Sequence, residues 1–157
     1  MAEVWLPAPF NAASQARGDA RVGGVAALRW GSPAAAKKML AVHGRLDNAA
    51  SFSFVGPLFA VAGYELVAID LPGHGHSPWK PDGVYSLLSQ AASVAQALDA
   101  LGWSSCTMLA HSLGCSYATT AVGALPGRFG ACVFIEGFAG FGLSFAVDFG
   151  MKSQDAD

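Results

Sequence analysis

The sequence predicts an α/β fold, a doubly wound and mostly parallel sheet, and three observations carry that prediction. Short apolar runs of strand length recur at 25–30, 39–42, 66–69, 106–110 and 131–135, with helically spaced segments between them. Most of these runs are apolar throughout rather than alternating, as expected of strands covered on both faces. Three of them end in chemistry-bearing loops: His43-Gly44-Arg45, Asp70-Leu71-Pro72-Gly73-His74-Gly75, and Ala110-His111-Ser112-Leu113-Gly114.

The chain opens with two predicted strands, 4–6 and 25–30, separated by an Ala-, Ser- and Gly-rich stretch expected to be a loop. Residues 31–36 turn the chain into strand 39–42. Apolar residues at 52, 54, 55, 58, 59 and 61 suit a short helix over 51–62, stiffened or broken near Pro57. After strand 66–69, Leu87, Leu88, Ala91, Val94, Ala95, Leu98 and Leu101 mark a helix over 85–101 that Gly102 stops. Strand 106–110, a helix over 117–125 and a last buried strand at 131–135 complete the order. No repeat and no linker marks a second unit, so residues 1–157 are expected to form a single domain.

A serine between a strand and a helix, with small residues two positions before and two after, is the pattern of a nucleophile elbow. The turn is so tight that Ala110 and Gly114 must be small, and it holds Ser112 in a strained conformation with its hydroxyl exposed. Taken with the upstream stretches HGRLDNAASF (43–52) and AIDLPGHGHS (68–77), the elbow LAHSLGCSYA (109–118) makes the chain resemble the α/β-hydrolase superfamily. More narrowly it is similar to the serine hydrolase-like proteins of that superfamily, from residue 3 to residue 140.

The resemblance implies that Ser112 attacks the carbonyl of an ester, thioester or related acyl group. It also implies that the backbone N–H groups of Arg45 and Leu113 form the oxyanion hole. Gly44 would let the backbone approach the substrate closely. Glu136, at the end of strand 131–135, is a candidate to orient a histidine base, with a lid-hinge or pocket role as the alternative. Asp70 is expected to hydrogen-bond the loop that follows it. An epoxide hydrolase or dehalogenase would need an aspartate at 112, so the serine points to acyl chemistry.

In this fold the triad runs Ser, then Asp or Glu, then His. All four histidines, His43, His74, His76 and His111, precede Ser112. The chain is therefore expected to be a C-terminally truncated, incomplete hydrolase domain. Two functions follow: a serine hydrolase acting through Ser112, or a catalytically inactive fragment or binding remnant. The plain structural alternatives are a helix-capping role for Ser112 and a simple strand-to-loop turn at His43-Gly44. His111 reads as a packed strand-end side chain, and His74 and His76 as turn and packing residues. Cys115 reads as a small residue after the elbow rather than a nucleophile.

At 157 residues, 53% hydrophobic and 13% charged, the chain can bury a sizeable core. A net charge of −2 supplies no basic field for nucleic acid. Cys106, Cys115 and Cys132 form no CxxC pair and no zinc spacing, so reduced thiols in a cytoplasmic protein are expected, with no metal. Pro78 stands where a dinucleotide loop beginning at Gly73 needs its third glycine, and no phosphate-binding loop is present, so no cofactor is expected. The N-terminus lacks a secretory signal. Glu136, Asp148 and several glycines interrupt the apolar stretch 131–151, so no membrane span is expected. The expected partner is a small acyl substrate. The open edge of strand 131–135, with Phe138, Phe141, Phe145 and Phe149 beyond it, is expected to promote self-association.

Overall fold

The computed structural model describes residues 17–137. Its strands are β1 (Arg17–Val22), β2 (Val25–Trp30), β3 (Lys37–Val42), β4 (Tyr64–Ile69), β5 (Cys106–His111) and β6 (Phe129–Ile135). Its helices are a 3-10 turn (Ala49–Phe52), α1 (Val55–Val61), α2 (Leu87–Ala100) and α3 (Gly114–Ala124). The strands form one mixed sheet in the order β1-β2-β4-β3-β5-β6. β4, β3, β5 and β6 pair in parallel, whereas β2 joins β4, and β1 joins β2, in antiparallel fashion.

Several expectations change in detail. The predicted strand 4–6 lies outside the described residues. Part of the stretch expected to be a loop is β1, which forms a hairpin with β2 across Gly23-Gly24, whose φ values are 58° and 87°. A Gly-Gly pair is a strong hairpin signal because both positions need left-handed backbone. Helix 51–62 divides into the 3-10 turn and α1, so the break precedes Pro57, which sits in the first turn of α1. Proline is tolerated there because the missing N–H would have no intrahelical partner. Ser86 caps α2 by accepting the Ser89 N–H at 3.2 Å, which starts the helix two residues late. Strand 131–135 is not buried: Ala131, Cys132, Val133 and Ile135 are exposed, because among the described residues β6 is an outermost strand paired only with β5.

The central strands are buried on both faces, as the unbroken apolar runs require. On one face Leu40, Val42, Val67, Ile69, Met108 and Ala110 pack against Val94, Ala97 and Leu98 of α2 and Ala118 and Ala121 of α3. On the other, Met39, Ala41, Leu66, Ala68 and Leu109 meet Phe52 and Trp30, with Phe59 of α1 alongside. Each large side chain buried this way contributes roughly 1.5–3 kcal/mol relative to exposure. Within the described strands one buried carboxylate interrupts this pattern. Glu65, near the start of β4, accepts from Arg29 Nη1 at 3.0 Å and Lys38 Nζ at 2.7 Å.

The chain passes from β3 to β4 on one side, then crosses back to β5 on the other side of β3. This reversal is a topological switch point at the C-terminal ends of β3 and β5, the position at which open α/β sheets bind their ligands. The Glu65 cluster lies at the opposite end of the strands. No helix among the described residues is long and apolar enough to cross a membrane.

Candidate active site

β5 ends at His111 and α3 begins at Gly114, so Ser112 and Leu113 alone make the turn. Ser112 has φ 51°, a left-handed conformation that costs an L-residue roughly 1–2 kcal/mol. Two backbone bonds hold it there: its N–H donates to Ile135 O at 2.9 Å and its C=O accepts from Cys115 N–H at 3.0 Å. The first ties the turn to the end of β6, the second to the first turn of α3. The helix also presses on the end of β3. A Cβ on Gly114 would lie 2.7 Å from Val42 O and closer still to His43 O, so only glycine fits.

Parallel pairing of Val42 with Ala110 brings the residues after β3 beside those after β5. Gly44 is buried against the elbow, and a Cβ built on it would stand 3.0 Å from Ser112 Cβ and 3.2 Å from His111 Nδ1. Arg45 follows and is exposed; Leu46 is 85% exposed and also left-handed, at φ 56°. Three side chains then pin the loop. Asp47 Oδ1 accepts Asn48 N–H at 2.9 Å and Ser51 Oγ–H at 2.5 Å. Asn48 Oδ1 accepts Ala50 N–H at 2.9 Å, and Asp70 Oδ1 accepts Ala49 N–H at 2.6 Å. Asp70 Oδ2 takes His76 N–H at 2.8 Å, so this buried carboxylate ties the loop after β3 to its own loop after β4.

His43 is fully buried and holds these loops together from below. Its Nε2 accepts Leu71 N–H at 3.0 Å, which places the ring proton on Nδ1, where it donates to Gly44 O at 2.8 Å. Burial pushes its pKa below the ordinary histidine value; the bond to Gly44 opposes this and nearby His74 adds to it. The folded protein therefore holds His43 neutral where the unfolded chain takes up a proton. Stability is full above the unfolded value, about pH 6.5, and falls as the pH drops below it. His43→Phe is expected to remove this contribution to the acid slope while leaving Leu71 N–H and Gly44 O unpaired, at about 1–3 kcal/mol at pH 8. Urea unfolding of both proteins at pH 8 and pH 5.5 checks it; equal slopes would contradict the assignment.

The elbow and the loop after β3 thus bring Ser112, Leu113, Gly44 and Arg45 to one place. Leu113 caps α3, and its N–H belongs to the helix's unsatisfied N-terminal donors, where the dipole favours negative charge. Glu136 lies one residue beyond the Ile135 carbonyl that receives Ser112 N–H. It is exposed and left-handed, at φ 47°, and makes no side-chain hydrogen bond or ion pair among the described residues. His74 Nδ1 lies 3.2 Å from Pro72 O, within its own loop. Cys115 is buried and its thiol pKa is pushed up by that burial, which disfavours the thiolate a nucleophile needs. Among the described residues no group of three or more His, Cys, Asp or Glu side chains is placed to hold a metal ion.

Two features were not singled out from the sequence. One is the left-handed Leu46. The other is the approach of His111 Nδ1 to Asp47 Oδ2, at 4.0 Å. The Asp47-Asn48 pair was a legible turn signal, since both side chains readily bond the backbone that follows them.

A mixed sheet reversing at β3/β5, with a strained serine turn at the reversal, defines the α/β hydrolase class of protein. Residues 38–155 match the α/β hydrolase fold family, and the chain belongs to that family. A serine hydrolase-like protein of Dictyostelium discoideum is 39% identical over 106 residues, covering 65% of this chain and 29% of that protein. An esterase of Mycobacterium tuberculosis is 32% identical over 116 residues, covering 74% of this chain and 37% of the relative. The crystal structure of a hypothetical protein from Pseudomonas aeruginosa superposes with a TM-score of 0.69 at 38% identity, covering 74% of this chain and 41% of that one. The chain therefore spans well under half the length of each of these three.

Proposed function

We propose that this chain carries the nucleophile and oxyanion side of a serine hydrolase acting on an ester or related acyl substrate. The observation that carries the reading is the left-handed Ser112, at φ 51°, at a strand-to-helix turn packed against Gly44. A hydroxyl so placed can add to a carbonyl carbon, with the N–H groups of Arg45 and Leu113 receiving the negative charge that develops on oxygen. The name of the mycobacterial relative, an esterase, supports esters as the substrate class. Glu136 is proposed to orient the histidine base, since its backbone adjoins the Ser112 turn. The free cysteines Cys106, Cys115 and Cys132 support a reducing, cytoplasmic setting.

No histidine follows Ser112 in this sequence, and a serine hydroxyl needs a base to react at neutral pH. This favours a second reading for the 157 residues alone, a fragment without turnover. Added imidazole separates the two, because it supplies the missing base without supplying the oxyanion hole. With imidazole present, p-nitrophenyl esters and acyl thioesters are expected to acylate the protein in a Ser112-dependent burst, whereas epoxides and haloalkanes leave it unmodified. Acylation no faster than that of Ser112→Ala would leave the inactive fragment as the better reading.

The outer edge of β6, unpaired among the described residues, supports self-association through that edge. Sedimentation is expected to show concentration-dependent dimers or larger species. A strictly monomeric protein would overturn this.

A further inference from the structure

We propose that Asp47 is a positioning residue for the oxyanion hole, bracing the Gly44–Leu46 turn from within its loop and, through His111, against the strand that carries Ser112. The inference rests on the reading of Ser112 and of the Arg45 and Leu113 donors given above, and names what holds one of those donors in place.

The turn needs a brace. Leu46 occupies a left-handed conformation with its side chain in solvent, so nothing in its own packing repays that strain. Arg45, the proposed donor, is likewise exposed. The backbone just beyond them is gripped by Asp47. Its Oδ1 collects both Asn48 N–H and Ser51 Oγ–H, which locks the following turn, and leaves Oδ2 directed at His111. His111 in turn stands at the end of β5, and a Cβ added at Gly44 would come within 3.2 Å of its Nδ1 and 3.0 Å of Ser112 Cβ, so the three residues sit close enough to crowd any side chain at 44. Close approaches thus link Asp47 to His111, and His111 and Ser112 to the Gly44 position. At 4.0 Å the Asp47–His111 approach joins two partly exposed groups and is too long for a hydrogen bond. Burial raises the Asp47 pKa, but the bonds from Ser51 and Asn48 and the nearby His43 and His111 outweigh it, so the carboxyl stays below its ordinary value and charged. Nothing in the expected triad requires an acid at 47. Its environment is organised around the loop that bears the donor, not around a base.

The test uses phenylboronic acid, a mimic of the tetrahedral intermediate that needs no histidine to bind. Ser112 Oγ bonds to boron, its proton leaves to water, and the resulting tetrahedral boronate anion places a hydroxyl oxygen toward the hole. Affinity is read by calorimetry for the parent chain, Ser112→Ala, Asp47→Asn, His111→Gln and the Asp47→Asn/His111→Gln double variant. Asp47→Asn keeps an acceptor for Asn48 and Ser51 and removes only the charge, so folding is preserved, as urea unfolding will report. The expected result is Ser112-dependent binding in the parent, weakened about tenfold by either single change and no further by both. Amide hydrogen exchange is expected to quicken over 44–48 in the single variants while β3 and β5 stay protected. A parent that binds while Asp47→Asn binds equally well would overturn this proposal and leave the reading of Ser112 intact. So would fully additive losses. A parent that binds no better than Ser112→Ala would overturn the reading of Ser112 and the bracing role with it.

Discussion

Gly114→Ala is expected to destabilise the protein by about 3 kcal/mol and to abolish the reactivity of Ser112. The added methyl would meet the carbonyls of Val42 and His43, which are backbone groups at the end of a central strand and cannot swing aside. Relief requires α3 to lift from β3, and the Ser112-Leu113 turn moves with it. Because the Gly44 position lies close beside Ser112 Cβ, the Ser112 turn and the loop after β3 separate as the helix lifts. Urea unfolding measures the first effect and acylation by an activated ester in imidazole the second. A Gly114→Ala protein of parental stability and reactivity would show that the close approach of α3 to β3 is not what shapes the site.

Glu65→Ala is expected to cost as much or more, about 3–5 kcal/mol, with the chemistry untouched. The carboxylate is buried, while the side chains of its partners Arg29 and Lys38 are 24% and 18% exposed. Removing it leaves two cations side by side at the start of β4 with their shared counter-charge gone. The cluster sits at the N-terminal ends of the parallel strands and the serine turn at the C-terminal ends, so the loss lies in stability alone. Thermal unfolding should shift downward by roughly 10 °C. Reactivity measured well below the transition should match the parent. A smaller shift, under about 1 kcal/mol, would mean that solvent compensates the cations as well as Glu65 does.

These two cases also show what the sequence reveals and what it hides. The central strands were legible because burial on both faces demands unbroken apolar runs, and Met39 to Val42 or Leu66 to Ile69 leave no other reading. The tight turn at Ser112 was legible for a steric reason: a serine between small residues at 110 and 114 is what a helix leaving a strand at close quarters permits. β1 was not legible as a strand, since Arg17–Val22 is a polar outer segment with no apolar periodicity, and only Gly23-Gly24 marked the hairpin. β6 was legible as a strand and its open edge was expected, but the exposure of its side chains was not, because an apolar run looks the same whether or not its faces are covered. Gly44, Arg45 and Leu113 were singled out through the family resemblance, and the parallel pairing of β3 with β5 sets the loop of the first two beside the Ser112 turn. The contact of Asp47 with His111 joins residues 64 positions apart, 111 minus 47, and depends on the parallel register of β3 and β5, which no local pattern encodes. Glu65 was hidden for a related reason. A carboxylate at the start of an apolar run looks like a strand boundary until Arg29 and Lys38 are brought to it by pairing.

Covalent labelling shows whether Ser112 is a nucleophile held at the reversal of the sheet. A fluorophosphonate is offered to the chain with and without imidazole, and the product is read by intact mass and peptide mapping. The expected product is a single adduct per chain, on Ser112, slow alone, accelerated by imidazole and absent from Ser112→Ala. An adduct on another residue, or labelling that persists in Ser112→Ala, would contradict it.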